Sequence, residues 1–291
     1  MRTVYLGTSA FAVAVLERLA ASDHRPALVV TRPDRPAGRG RKLSPPPVAI
    51  AARALGIELV QPERLHADET LSAIAAAEPD ALVVCAYGAL VKEPLLSDYE
   101  ILNVHPSLLP RWRGAAPLER AIMAGDTETG VSIMRLTAGL DSGPVALQER
   151  DAIAPEDDYA SLAARLEDLG ARLLIRALDE RPPFSEQPED GVTYAEKITA
   201  ADRTLDPARP AAELERTVRA LRPHIGARVA LPADGAFLGV WSAALAAEDG
   251  PAGLARDGDR LFFGGLELLE VQPPGGRRMP AAEWLRGRPA L

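Results

Sequence analysis

NVHPSLLPRWRGAAP, from Asn103 to Pro117, and GLDSGP, from Gly139 to Pro144, are the two stretches that decide the fold of this chain. Asn103 and His105 lie two residues apart at the end of an apolar run, which predicts a β-strand. Successive side chains of a strand point to opposite faces, so both polar side chains are expected on one face near the strand's carboxyl end. Pro106 then ends the strand and begins an extended loop. Open α/β folds keep their sites at such strand ends, and the second stretch adds a carboxylate in a tight turn.

The region before this stretch alternates strand-like and helix-like patterns. Short apolar runs predict strands, and apolar residues at helical spacing behind caps such as Thr8 and Ser9 predict helices. The predicted strands are Val4–Gly7, Ala27–Thr31, Leu59–Val60, Ala81–Cys85 and the run that ends at Asn103. The predicted helices are Ala10–Ala21, Val48–Leu55 and Asp68–Ala77. Strands separated by helices indicate a parallel, doubly wound sheet.

The segment around the second stretch predicts an addition to this sheet. VSIMRL (Val131–Leu136) and PVALQER (Pro144–Arg150) flank the GLDSG turn and are expected to form a hairpin. Tyr159–Leu178 has the periodicity of a long amphipathic helix, which we expect to close the first domain.

Composition shifts after Arg181, where several prolines predict a linker that YAEK (Tyr194–Lys197) crosses. Beyond the linker, one helix is predicted over Ala211–Leu221, and short strand-like runs follow it. Short strands at this spacing are typical of a small β-barrel. We therefore expect a first domain over residues 1–189, a linker over 190–207 and a C-terminal barrel domain over 208–291.

The bulk properties are those of a globular chain, with 291 residues of which 47% are hydrophobic and 25% are charged. The sequence shows neither a membrane-spanning apolar run nor a signal peptide. Cys85 is the single cysteine, which excludes an internal disulfide, and the four scattered histidines form no visible metal-ligand pattern. The net charge of −8 argues mildly against a nucleic-acid partner. We expect a cytoplasmic, monomeric chain that has no contact with a membrane and uses no metal.

A dinucleotide fingerprint would lie after the first strand, where this chain has GTSAFA (Gly7–Ala12). The segment is not GxGxxG, and the second predicted strand ends in Thr31 and Arg32 without an acidic residue for a ribose. The dehydrogenase hypothesis is therefore weak. A glycine needed for the strand-to-helix turn is the favoured interpretation.

A basic segment, RPDRPAGRGRK (Arg32–Lys42), carries five basic residues against one acidic residue. Gly38 and Gly40 are expected to keep this loop mobile, and arginine side chains bind phosphates through two parallel hydrogen bonds. A polyanion can bind locally even to a chain whose total charge is negative. A solvated surface loop is the alternative, and the sequence leaves both interpretations open.

Asn103, His105 and Asp141 form a set that can catalyse attack of an amine on an activated carbonyl. An asparagine amide can donate to the carbonyl oxygen as that oxygen gains charge. A histidine can exchange a proton near neutral pH, and a nearby carboxylate would favour its charged form and fix its orientation. Taken singly, the histidine could be a loop residue and the aspartate a turn residue. The combination, followed by SLLP, points to catalysis.

With these residues assembled, the chain resembles the methionyl-tRNA formyltransferases, a branch of the 10-formyltetrahydrofolate-dependent formyltransferases, over nearly its whole length. The matching segments are GTSAFA, RPDRPAGRGRKL, AYG at Ala86–Gly88, NVHPSLLPRWRGAAP, TGVSIMRLTAGLDSGPV and YAEKI. The formyl-transfer segments are shared with enzymes that act on glycinamide ribonucleotide and amino sugars, whereas the basic loop combined with YAEK is more specific. The family's usual Asn-Pro-Trp-Pro is replaced by Arg222-Pro223-His224-Ile225, and the C-terminal domain is short.

The resemblance implies a Rossmann-like, doubly wound, mostly parallel α/β sheet followed by a small OB-like β-barrel. It implies that Asn103, His105 and Asp141 are catalytic and that the methionyl α-amine is the nucleophile. The residues implied for tetrahydrofolate are Ser107, Leu108, Leu109, Pro110, Tyr87 and Gly88. Those implied for tRNA are Arg35, Arg39, Arg41, Lys42 and Lys197.

The function predicted from the sequence is formyl transfer from 10-formyltetrahydrofolate, as co-substrate, to methionyl-initiator tRNA. One alternative is a formyltransferase that acts on a nucleotide-linked amino sugar, which should have little use for the basic loop. A second alternative is a non-catalytic tRNA-binding protein, which does not explain Asn103, His105 and Asp141 together.

Overall fold

The computed structural model describes residues 1–37, 42–232, 235–247 and 251–286, and their contacts divide the chain into two compact units. The first unit contains Met1–Ala115, Glu128–Ala152 and Ala163–Ala195. The second contains Ala116–Thr127, Ile153–Leu162 and Glu196–Leu291. Two short internal segments are therefore grouped with the C-terminal part of the chain.

The secondary structure of the described residues alternates strands and helices up to residue 180 and is mainly β after residue 226. The strands are β1 (Thr3–Gly7), β2 (Pro26–Val30), β3 (Arg35–Ala37), β4 (Lys42–Ser44), β5 (Glu58–Val60), β6 (Ala81–Cys85), β7 (Ile101–His105), β8 (Arg113–Gly114), β9 (Glu128–Arg135), β10 (Val145–Ala152), β11 (Tyr194–Ala195), β12 (Ala227–Ala230), β13 (Phe237–Leu245), β14 (Ala255–Asp257), β15 (Arg260–Phe263), β16 (Leu266–Gln272) and β17 (Met279–Pro280). The helices are α1 (Ala10–Ala20), α2 (Pro47–Ala54), α3 (Asp68–Ala76), α4 (Leu95–Asp98), α5 (Pro117–Ala124), α6 (Tyr159–Glu180), α7 (Ala211–Leu221) and α8 (Ala281–Leu285).

The first unit is built on a seven-stranded sheet with the order β10-β9-β7-β6-β1-β2-β5. The five strands from β7 to β5 are parallel, whereas β9 and β10 are antiparallel additions at one edge. Every residue of β1, β6 and β7 is buried, as is usual for parallel strands that are covered on both faces. The predicted parallel, doubly wound sheet and its added hairpin are confirmed.

Local sequence signals place the first crossover. The Oγ of Ser9 accepts a hydrogen bond from the backbone N–H of Ala12, which makes Ser9 the N-cap of α1 as predicted. The next residues of α1 turn an apolar face to the sheet, and Tyr5 of β1 donates its hydroxyl to the Ala12 carbonyl at 2.6 Å. Strand and helix are thus joined by a capped turn, which agrees with a local role for Gly7 between them.

The two sides of the basic segment differ from the loop that the sequence predicts, whereas the mobility expected from Gly38 and Gly40 falls outside the described residues. The two sides form an antiparallel ladder of β3 and β4, in which Arg35 lies opposite Ser44 and Pro36 lies opposite Leu43. The expectation is wrong for these two sides because backbone hydrogen bonds between them hold the base of the segment as a hairpin. Residues 38–41 lie outside the described residues.

The second unit contains an antiparallel sheet with the order β12-β13-β16-β15-β14, to which β17 is added beside β16. The predicted α7 has the observed bounds, Ala211–Leu221. Its buried face carries Leu214, Val218 and Leu221 at helical spacing, and these side chains join the apolar core of the sheet. The antiparallel strands expected for the C-terminal domain are confirmed.

Polar contacts attach the two internal segments to the rest of the second unit. The Arg120 guanidinium donates to Asp202 at 2.7 Å and holds the pKa of that carboxyl well below its usual range. His224, which stands in the position of the family's tryptophan, lies 2.9 Å from Glu119 and stacks on the ring of Tyr159 at 3.8 Å. His224 at this departure from the family pattern is therefore held by one polar contact and one ring contact.

Two further properties concern the length of the helices and the state of the single cysteine. Among the described helices, none combines the length and the apolar character needed to cross a bilayer. Cys85 is buried at the end of β6, and burial raises the pKa of its thiol to about 12, so the thiol stays protonated at neutral pH.

Candidate active site

His105 is the last residue of β7, and its side chain is only 5% exposed. Its Nε2 lies 2.9 Å from the backbone oxygen of Trp112. Because a carbonyl oxygen can only accept, Nε2 must carry the hydrogen of this bond. The other ring nitrogen, Nδ1, lies 3.7 Å from Oδ2 of Asp141, which is longer than a hydrogen bond. Among the described residues, the Nδ1 side of the ring therefore has no hydrogen-bond partner.

Asn103 shares one face of β7 with His105, as the period of a strand predicts. Val104 points to the other face, where Gly170 of α6 is so close that a Cβ on that glycine would lie 2.9 Å from the valine side chain. Asn103 is 7% exposed, and within the described part of the chain its amide makes no hydrogen bond. An amide without a protein partner, on the face of β7 that carries His105, is available to a bound molecule.

Asp141 reaches this face from the opposite end of β7. Arg135, at the end of β9, pairs with Leu102, so the following loop begins beside the amino end of β7 and returns toward His105. Oδ2 of Asp141 accepts the backbone N–H of Gly114 at 2.8 Å. The site therefore lies over a face of β7, and only His105 occupies the carboxyl end that the sequence predicts.

Three of the residues with a strained backbone lie at this site or at the end of the neighbouring strand β6. Trp112 has φ +63° and Asp141 has φ +44°, and neither is a glycine. Ala86, at the end of β6, has φ +44°. Left-handed conformations of such residues are disfavoured, persist only where the surroundings hold them and are frequent at active sites.

The segment predicted to bind tetrahydrofolate, Ser107–Pro110, is held by polar side chains of β9 and β10. Ser132 donates its hydroxyl to the Ser107 carbonyl at 2.6 Å and accepts the backbone N–H of Leu109 at 3.2 Å. Gln148 donates to the Leu109 carbonyl at 3.0 Å. Ser107 and Leu109 are buried, whereas Leu108 and Pro110 are half-buried. The segment is a fixed turn that presents part of its surface.

Tyr87 and Gly88 follow β6 and differ in their exposure to solvent. Tyr87 is 2% exposed, and its carbonyl accepts the hydroxyl of Thr8 at 2.7 Å. Burial raises the pKa of Tyr87, and the nearby Arg32 guanidinium offsets part of this rise. Gly88 is exposed and has φ +77°.

The basic residues predicted to bind tRNA are described only in part. Arg35 is exposed and lies 3.3 Å from Glu63, and Lys42 is exposed on β4. Lys197 is exposed in the second unit. Arg39 and Arg41 lie outside the described residues.

Several residues of the site could not be assigned from sequence. Gln187 lies in the proline-rich stretch after Arg181, yet its amide donates to the backbone oxygens of Asp141 and Gly143 at 2.8 and 2.7 Å. The YAEK segment pairs in parallel with the loop after β7, because Tyr194 lies opposite Arg113 in the β11–β8 ladder. The sequence signal for the pairing of β11 with β8 is limited to the two residues Tyr194 and Ala195, and a two-residue pattern is too short to predict a strand.

Two family models match the chain. One, described as formyl transferase, matches residues 1–178, and the other, described as formyl transferase, C-terminal domain, matches residues 197–289. Methionyl-tRNA formyltransferase of Dechloromonas aromatica is 43% identical to this chain in an alignment 298 positions long, which covers 99% of this chain and 96% of the relative. The protein of the same name from Methylococcus capsulatus is 45% identical and covers 98% and 96%.

Solved structures share the fold at low identity. HypX of Aquifex aeolicus in complex with tetrahydrofolic acid has a TM-score of 0.67 at 18% identity, covering 98% of this chain and 47% of that protein. An N-formyltransferase of Helicobacter canadensis, in complex with folinic acid and dTDP-3-aminofucose, has a TM-score of 0.66 at 14% identity, covering 96% and 99%. Methionyl-tRNA formyltransferase of Clostridium thermocellum has a TM-score of 0.59 at 12% identity, covering 84% and 93%.

Proposed function

This chain belongs to the formyl transferase family, and from that premise we propose its reaction: transfer of the formyl group of 10-formyltetrahydrofolate to the α-amino group of methionyl-initiator tRNA, for translation initiation. The chain is an enzyme of the methionyl-tRNA branch, because relatives at 43% and 45% identity over nearly their whole length bear that name. The amino-sugar enzyme shares only the fold at 14% identity, so the first alternative is not favoured. A non-catalytic protein would have no use for Asn103, His105 and Asp141 on one face.

The observation that carries the proposal is the environment of His105. Its Nε2 is occupied by the Trp112 carbonyl, while Nδ1 faces Asp141 across 3.7 Å without a hydrogen bond. A protonated Nδ1 can therefore donate to a substrate oxygen, and the Asp141 carboxylate stabilises the positive charge of the ring. Asn103 supplies a second donor from the same face.

These three residues suit the charge that develops during transfer. Attack of the amine on the formyl carbon places negative charge on the formyl oxygen and positive charge on the nitrogen. Asn103 and His105 donate to that oxygen, which strengthens both hydrogen bonds as the charge grows. Asp141 orients His105 and, through water, helps to remove the proton of the amine. The bond between the formyl carbon and N10 of the folate then breaks, and N10 takes up the proton that the amine gives up, so that tetrahydrofolate leaves and no covalent bond to the protein is required.

The fixed turn at Ser107–Pro110 is our proposed platform for the folate, together with Tyr87 and Gly88. Ser132 of β9 and Gln148 of β10 hold this turn, which follows His105 directly at the end of β7. A formyl carbon held there would lie beside the donors. That no metal takes part stays a prediction.

We propose that the basic segment (Arg32–Lys42), whose sides form the β3–β4 hairpin, and Lys197 bind the tRNA. Arg35 and Lys42 lie on its two described sides, and Arg39 and Arg41 lie between them in the sequence. Arginine and lysine at such a site neutralise backbone phosphates. The C-terminal domain, proposed over residues 208–291 after a catalytic domain over 1–189 and a linker over 190–207, would hold the rest of the tRNA, and the monomeric state stays a prediction.

Neutralising Arg39 and Arg41 together, as Arg39→Gln with Arg41→Gln, should weaken tRNA binding and flatten its salt dependence. Each lost phosphate contact should lower the slope of log K against log salt by roughly 0.7–0.9. Arg18→Gln with Arg172→Gln is the matched control, because both arginines are exposed and share Asp168 as partner. An unchanged slope in the hairpin variant, measured by filter binding, would remove the hairpin from the tRNA interface.

The reaction itself is tested by a formylation assay with three acceptors. We expect the purified chain, given 10-formyltetrahydrofolate, to formylate charged initiator tRNA, to act poorly on charged elongator tRNA and to leave a nucleotide-linked amino sugar unchanged. Preferential formylation of the amino sugar would establish the first alternative. Binding of tRNA without any transfer would establish the second.

A further inference from the structure

Gln187 uses all the hydrogen-bonding capacity of its side-chain amide inside the candidate site. Its two N–H groups donate to the backbone oxygens of Asp141 and Gly143 at 2.8 and 2.7 Å. Its Oε1 accepts two hydrogen bonds from the Arg113 guanidinium, from Nε at 3.0 Å and from Nη2 at 2.7 Å. A glutamine amide offers two donors and one oxygen with two lone pairs, so the set is complete.

The same strand pair that carries Arg113 also holds the carboxylate of Asp141. Gly114, the next residue, donates its N–H to Asp141 Oδ2 at 2.8 Å. Gly114 has φ +122°, and a Cβ at this position would lie 2.7 Å from the Ala195 carbonyl. The main chain and the side chain of Asp141 are therefore fixed by two ends of one connected network, through Gln187 and through Gly114.

This support matters because Asp141 is a non-glycine residue with φ +44°. A residue in that conformation relaxes unless its surroundings over-determine it. Its carboxylate lies on a loop, 3.7 Å from Nδ1 of His105. Because the loop backbone sets this distance, a movement of the loop would take the carboxylate away from the ring. A loop displaced by about 1 Å can lose roughly 10²-fold in rate.

We infer that Gln187 is a positioning residue for formyl transfer, which acts by holding the backbone of Asp141 so that its carboxylate faces the His105 ring. The inference rests on the proposed function, because it gives Asp141 a role in the chemistry. Gln187 itself lies against backbone oxygens and a guanidinium and is not expected to touch substrate.

The test compares two variants of Gln187 with a neighbour. Gln187→Ala removes every contact, and Gln187→Glu keeps the volume and the acceptor for Arg113 but removes both donors. We expect each to lower kcat by about tenfold to a hundredfold with unchanged KM for the folate and the tRNA. Glu186→Ala, at an exposed position one residue away, should behave as wild type. Circular dichroism and active-site titration with folate correct each rate for folded protein.

A double substitution separates positioning from general stability. If Gln187 acts through Asp141, then Gln187→Ala should cost little further rate in a chain that already carries Asp141→Asn. The same fold-loss in both backgrounds, or a wild-type kcat in both Gln187 variants, would overturn the inference. If the wild-type chain formylates a different amine, the proposed acceptor is wrong, and the Gln187 comparison can still be made on that amine.

Discussion

Replacing Asp141 by asparagine should slow formyl transfer by roughly 10²–10³-fold while leaving folate affinity nearly intact. The substitution preserves shape, and the asparagine oxygen can still accept the Gly114 N–H that Oδ2 accepts at 2.8 Å. What disappears is the negative charge 3.7 Å from Nδ1 of His105. The charged form of the imidazole loses its support, so the donor to the formyl oxygen is weakened when it is needed most. The loss should therefore fall on kcat rather than on KM.

Single-turnover transfer at saturating substrates measures this effect directly, because binding and product release are then removed from the rate. Asp23→Asn is the matched control, since it makes the same chemical change at an exposed position of the first unit. A near wild-type rate for Asp141→Asn would show that the carboxylate is only a structural ligand of Gly114. Weakened folate binding with an unchanged rate would move Asp141 from the chemistry to the binding site.

Removing the two proposed donors should also cost roughly 10²–10³-fold for each, but the costs should not multiply. Asn103 and His105 lie on one face of β7 and are proposed to stabilise the same oxygen. Residues that act on one transition state are strongly non-additive, so Asn103→Ala with His105→Ala should lose less than the product of the single losses.

The His105 substitution needs a partner variant, because His105→Ala also leaves the Trp112 carbonyl without its donor. In His105→Gln, the side-chain amide can take over that hydrogen bond while the Nδ1 donor is lost. We expect a large decrease in kcat in both variants. Recovery of most of the rate in His105→Gln would mean that the bond to Trp112, rather than proton donation, is what His105 contributes. A double variant whose loss equals the product would assign the two side chains to separate steps.

Local patterns were sufficient for much of the fold. The Ser9 cap placed the start of α1, the apolar spacing of α7 placed both of its ends, and alternation along β7 placed Asn103 and His105 on one face. These signals depend on neighbours within a few residues, so the chain carries them before it folds. The polar residues of the NVHPSLLP stretch were recognisable for the same reason.

Contacts between distant residues were not predictable in this way. The basic segment has hairpin sides because β3 and β4 pair, although its glycines predicted a loop. Residues 116–127 join the second unit through partners such as Asp202, which is 82 positions from Arg120. Hydrophobic periodicity carries no information on such pairings, because a guanidinium can serve any carboxylate that the fold brings near.

The sequence by itself determined the class of the sheet, the face that carries Asn103 and His105, and the chemistry that an amide, an imidazole and a carboxylate can perform. Only the tertiary structure decided which nitrogen of His105 is free, how Asp141 returns from the far end of β7, and that Gln187 holds it from 46 positions away. The physical reason is that these features depend on backbone carbonyl and N–H groups. Every residue type presents the same backbone carbonyl, and every type except proline presents the same N–H, so their partners are set by where the folded chain places them.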